Sequence, residues 1–222
     1  MTAAVPISGL STLSASATLQ PAANARAAAR PVTFAPPDTP EITAARNVLK
    51  KDGETPYALS ALGALLWARF ATASALPDLN EAITLYQAAV SAWAAAPRPE
   101  DAPARLQAYA VLAQALKTRL SFGGDLREAS DVLRYERDAL ALVPADDPTR
   151  ALACAACAAA HHAAFMATSD VVMLVQAVDM QREALSLSPP SYPSYAEHAA
   201  ALDAWTQRLT QLQGDAAPAP QR

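Results

Sequence analysis

Aromatic residues make up only 6% of the chain, and glycine occurs six times, histidine three times and cysteine twice in 222 residues. So little aromatic and β-branched content effectively excludes an all-β fold, because pleated sheets draw on those side chains. Two cysteines three positions apart are no disulfide framework, and a chain of this length buries enough surface to do without one. Lysine is as scarce as histidine, at Lys50, Lys51 and Lys117, and the formal net charge is −4. A phosphate backbone demands a dense basic face, so the charge argues against nucleic acid as a partner. What the chain has instead is alanine, roughly a quarter of all residues against a far smaller ordinary share. Alanine loses no side-chain entropy in a helix, so an all-α fold is expected.

Residues 1–40 are rich in Ala, Ser, Thr and Pro and show no sustained helical period, which reads as a disordered or weakly helical arm. Arg26 and Arg30, with no acid before Asp38, give a weak hint of organelle targeting, but two basic residues are thin support and a plain flexible arm is expected. Ser and Thr interrupt the apolar residues near the start, so a secretory signal is not expected. The longest uncharged run, 151–169, is near the minimum length for a bilayer span. Its alanines and His161-His162 supply little of the transfer energy that drives insertion, so it reads as a buried helix and no membrane partner is expected. Residues 213–222 read as a flexible tail, and the setting expected is the cytosol.

Self-similarity organises the middle. Trp67-Ala68-Arg69-Phe70 aligns with Lys117-Thr118-Arg119-Leu120, His162-Ala163-Ala164-Phe165 and Thr206-Gln207-Arg208-Leu209, at offsets of 50, 45 and 44 residues. Ala89-Val90, Ala139-Leu140 and Ala184-Leu185 keep the first two offsets independently. A fixed period of this length marks a repeat architecture. Each unit runs as an apolar-periodic stretch, a short break, an acid (Asp78, Asp125, Asp170), a second stretch and then proline. The acids suit helix N-termini, where a carboxylate accepts from orphan N–H groups and meets the positive dipole end. Pro97, Pro144 and Pro189 end the second helices, and Pro103, Pro148 and Pro193 reopen the chain.

The expected layout is a lead helix at 41–51, helix pairs at 56–72 with 78–95, 103–121 with 125–142 and 149–168 with 170–187, and a capping helix at 195–212. That is about seven main helices plus the short lead helix, in a repeat domain spanning 41–212 with units at 56–97, 103–144 and 149–189. Leu59, Leu62, Leu66 and Phe70 form one stripe at helical spacing, repeated by Tyr109, Leu112, Leu116 and Leu120. Hairpins of this kind bury both faces only by stacking, which predicts an α-solenoid.

The runs Asp78-Leu79-Asn80-Glu81-Ala82-Ile83, Gly124-Asp125-Leu126 and Gln181-Arg182-Glu183-Ala184-Leu185 resemble the long tetratricopeptide-like (TPR-like) repeats of large fungal proteins, over about residues 56–209. Arrays of that family often precede a CHAT domain, a caspase-like protease module. The resemblance implies helix-turn-helix repeats that bind a protein or peptide partner, and as an alternative an accessory or remnant region of a CHAT protease system. The chain departs from the pattern in having Leu76-Pro77-Asp78 in place of the glycine turn and Ala164 in the arginine column.

Chemistry-bearing residues are few. Cys154, Cys157 and His161 share one helix face, with His198 as the natural fourth, which is a zinc-like set and the basis of a second alternative, a small metal-binding helical protein. The register gives the plainer reading: Cys154 aligns with Leu59 and Tyr109, Cys157 with Leu62 and Leu112, and His161 with Leu66 and Leu116, all core positions. No nucleophile-base-orienter set and no phosphate loop is present, and Glu100-Asp101 and Asp146-Asp147 lie in links as solvated acids. An enzyme is therefore not expected, nor a cofactor. The column Trp67, Lys117, His162 and Thr206 lies one residue after the core stripe and varies in chemistry, as a partner-binding column could. Arg69, Arg119 and Arg208 recur beside it as structural positions, expected to bond helix-end carbonyls or the neighbouring Asp.

Overall fold

Proline and threonine set where helices begin. In a computed structural model describing residues 33–123 and 127–215, Thr39 caps α1 (Pro40–Asp52), its hydroxyl accepting from Ile42 N–H. Thr55 caps α2 (Pro56–Ala73) in the same way, accepting from Ala58 N–H at 3.2 Å. In both, proline at the first position loses no bond, because that N–H has no intrahelical partner. Next come α3 (Leu76–Ala95), a short 3₁₀ turn (Pro99–Asp101), α4 (Ala102–Ser121) and α5 (Arg127–Leu142). The remaining elements are α6 (Arg150–Thr168), α7 (Val171–Leu187) and α8 (Tyr195–Asp215). The fold is all-α, with eight α-helices and no strand among the described residues. Of the arm expected over 1–40, residues 1–32 lie outside those residues, as do Gly124, Asp125 and Leu126, and 33–39 are non-helical up to Pro40. Of the tail expected over 213–222, residues 216–222 lie outside, while 213–215 continue the last helix.

Helices adjacent in sequence pack on one another along the whole chain, most extensively within α2/α3, α4/α5 and α6/α7. Alanine explains the tightness. In α6, Ala155, Ala158 and Ala160 are buried, and α7 buries Ala177 and Ala184. Side chains this small let two backbones approach closely. Each buried methyl contributes little, near ~0.8 kcal/mol per apolar carbon, so high helix propensity and many close contacts carry what large core residues carry elsewhere.

The main core runs from α2 through α5 into α6, built from Leu59, Ile83, Tyr109, Leu116 and Tyr135 around Trp93. Ile42 anchors α1 on Leu62, Leu66 and Ala82. Arg46 of α1 also binds Glu81 of α3 through its two terminal guanidinium nitrogens, Nη2 at 2.8 Å, and donates from Nε to Asp38 at 2.8 Å. α6 is long and apolar enough by composition to cross a membrane, yet 44% of that window is buried inside the fold between its neighbours.

A candidate cleft between α5, α6 and α7

The residues aligned with Leu59, Leu62 and Leu66 on α6 are buried: Cys154, Cys157 and His161. Burial, with Glu183 nearby, pushes the Cys154 thiol up to about 12, and burial also pushes Cys157 up to about 11. Neither sulfur is a thiolate near neutrality, and the thiolate is the form that attacks or ligates. Among the described residues no group of three or more His, Cys, Asp and Glu is placed to hold a metal ion, so Cys154, Cys157, His161 and His198 are not gathered into a centre. His198 instead contributes its backbone carbonyl, which accepts from the buried Gln181 side chain at 3.1 Å.

His161 is the exception to the apolar stripe. Its ring is 6% exposed and Nδ1 is buried without a partner. Burial, and then the charge of Arg137, hold its pKa below the usual imidazole value. Beside it opens a cleft of about 430 Å³ between α5, α6 and α7, lined by Arg137, Arg150, Cys157, His161, Asp179 and Met180 among others. Arg150 at the start of α6 is held in place by the Val143 carbonyl at 3.0 Å and by Glu183 at 3.1 Å. Asp179 accepts from Arg182 at 2.9 Å, one turn on along α7. Arg134, one turn back on α5, binds Asp131 at 2.8 Å and lies 4.2 Å over the Tyr135 ring. Arg137 has no hydrogen-bond or ion-pair partner among the described residues. The cleft therefore presents one uncommitted guanidinium beside a polar ring without a partner.

The column Trp67, Lys117, His162 and Thr206 is largely engaged within the chain. Trp67 stacks on Phe70 at 5.6 Å and packs against the core. Lys117 donates to Glu136 at 2.8 Å. His162 stacks at 4.5 Å on Trp205, the residue before Thr206, which brings the α6 and α8 members to one locality. Thr206 itself is exposed.

Arg69 forks onto Asp78, Nε to Oδ2 at 2.8 Å and Nη2 to Oδ1 at 2.7 Å, and also donates to the Pro37 carbonyl. Asp78 thus stands in the first turn of α3 but accepts from a side chain rather than capping the backbone. Arg119 repeats the contact with Glu128 at 2.8 Å, the same nine residues on. Asp170 has a different task, capping α7 by accepting from Val172 N–H at 2.9 Å. Arg208 is exposed and, among the described residues, reaches only Gln211, at 3.5 Å.

Three buried polar groups are not evident from sequence. Asp101, expected as a solvated link acid, is 2% exposed because it takes the Tyr57 hydroxyl at 2.6 Å and Arg98 at 3.3 Å. Glu136 and Gln181 are buried in the register position of Tyr86, and the same two offsets could have exposed that column. Compared with known proteins, the chain matches no protein-family model and no curated sequence. The tetratricopeptide-like resemblance therefore rests on the residues that carry it.

Proposed function

We propose that the chain is a non-catalytic α-solenoid of three degenerate TPR-like hairpins with a capping helix, serving in the cytosol as a scaffold that binds a protein or peptide partner. The observation that carries this reading is the burial of equivalent positions in successive hairpins: Leu59, Leu62 and Leu66, then Tyr109, Leu112 and Leu116, then Cys154, Cys157 and His161. Ala89, Ala139 and Ala184 keep the same spacing on the second helices and are buried too. Hairpins that share faces in this way build a quasi-one-dimensional core and leave an extended surface for binding. The two protonated, buried thiols favour binding over chemistry, since nothing around them activates a nucleophile.

The test is affinity capture on the full chain followed by hydrogen exchange on the complex. Protection on equivalent faces of at least two successive hairpins is expected. No partner above background, combined with a measurable turnover by the purified chain, would overturn the reading.

A further inference from the structure

The guanidinium groups around the α5/α6/α7 cleft are not equivalent. Arg134, Arg150 and Arg182 each hold a carboxylate of this chain. Arg150 and Asp179, the other charged residues lining the cleft, are matched to Glu183 and Arg182. Arg137 is the one charged side chain in that lining without a partner among the described residues, and the adjacent Asp138 is not part of the lining. His161, which also lines the cleft, is more than nine-tenths buried and makes no hydrogen bond among the described residues. A buried polar atom without a partner is costly, so the lining of the open cleft offers a polar group as well as a charge.

We infer that this cleft seats a single glutamate side chain of the bound partner, its carboxylate on Arg137 and its methylenes along Leu140 and Met180. This rests on the reading of the chain as a partner-binding scaffold and names the group recognised. The volume of about 430 Å³ suits one side chain with its flanking backbone. Arginine's planar fork matches a carboxylate in two parallel bonds, which selects Glu over its amide. The cleft lining carries one unpaired positive charge, which matches a single carboxylate.

The probe is acetyl-Leu-Glu-Leu-amide, titrated into the isotope-labelled full chain and followed by NMR at the Arg137 Nε–H, the His161 ring and the Met180 methyl. Saturable shifts at these three groups are expected, with affinity at least about fivefold weaker for the Leu-Gln-Leu peptide and for Arg137→Gln. Arg137 is exposed, so the variant should keep its fold, and an unchanged unfolding midpoint checks this. Equal affinity for the two peptides, an unaffected Arg137→Gln variant, or shifts confined to other faces would each overturn the inference. A captured protein partner that binds Arg137→Gln as well as the native chain would sink the inference and leave the scaffold reading standing. Glutamate-selective, Arg137-dependent binding with no protein partner recovered would do the reverse.

Discussion

Arg69 and Asp78 close the first hairpin at its turn, the end of α2 gripping the start of α3 through two parallel bonds of 2.8 and 2.7 Å. Asp78 is 1% exposed, and its carboxylate raises the Arg69 pKa. The second hairpin repeats the contact nine residues apart with Arg119 and Glu128, at a more exposed site. In the third hairpin the two corresponding positions are Ala164 and Met173, so both members of the pair are apolar together.

Removing one partner of a buried pair strands the other, which is far costlier than the net worth of the pair. Asp78→Ala is expected to destabilise the chain by ~3 kcal/mol, and Glu128→Ala by only ~1 kcal/mol because water reaches that pair. Urea unfolding of the two variants measures the difference. Equal losses would mean that the Asp78 carboxylate is not the buried anchor described.

Gly63 faces Tyr86 so closely that an added Cβ would meet the ring at 3.0 Å. The corresponding positions in later hairpins pair alanine with a slimmer side chain, Ala113 with Glu136 and Ala158 with Gln181. Glycine is thus the space that a buried tyrosine requires. Gly63→Ala gains ~1 kcal/mol of helix propensity but overpacks a filled site, and a net loss of ~1 kcal/mol is expected. In a Tyr86→Leu background the same substitution should become neutral or stabilising. A double-mutant cycle by chemical denaturation checks it, and zero coupling would refute the argument.

The helix boundaries are readable in the sequence because proline and threonine punctuate them. Pro56 opens α2, Pro97 follows the end of α3, and Pro144 and Pro189 follow α5 and α7, so local chemistry alone places most ends within a few residues. The apolar stripe is readable for the same reason, since Leu59, Leu62 and Leu66 keep helical spacing. Asp101 is not, because nothing in Arg98-Pro99-Glu100-Asp101 reveals that the Tyr57 hydroxyl, forty-four residues away, will cover it. Arg137 is hidden for a related reason. On its own helix it is an ordinary charged residue, and what distinguishes it is the cleft it lines, where Asp179 is already paired with Arg182 and Arg150 with Glu183. The pairing of Arg119 with Glu128 is masked by the nearer Asp125, which is the acid directly after the glycine turn.

Ser74 and Ser169 end α2 and α6 in the left-handed region, with φ of 54° and 59°, and each donates its N–H to the carbonyl of a phenylalanine, Phe70 or Phe165. An L-residue in that conformation carries roughly 1–2 kcal/mol of strain, which glycine avoids at an entropic cost in the unfolded chain. Ser169→Gly is therefore expected to stabilise by ~0.5 kcal/mol. At this cap only the Ser169 backbone N–H is engaged, so loss of the hydroxyl does not offset the relief. A lower thermal midpoint for the variant would contradict this.

Burial holds His161 and His162 below the usual imidazole pKa, and for His161 the nearby Arg137 charge adds to it. In the unfolded chain both rings titrate near ~6.5. Between the folded and unfolded values the unfolded state binds more protons, so stability rises with pH there. The contribution is complete above about pH 6.5 and disappears as pH falls through that value toward the folded pKa values. Lowering the pH from about 7.5 to about 5 should thus weaken the fold before carboxylate protonation contributes. His161→Leu places in α6 the residue that its register partners Leu66 and Leu116 already carry, so it should fold and flatten the slope over this window. Urea midpoints across the range test it. A slope unchanged in His161→Leu would show that the buried ring is not the group whose charging opposes folding.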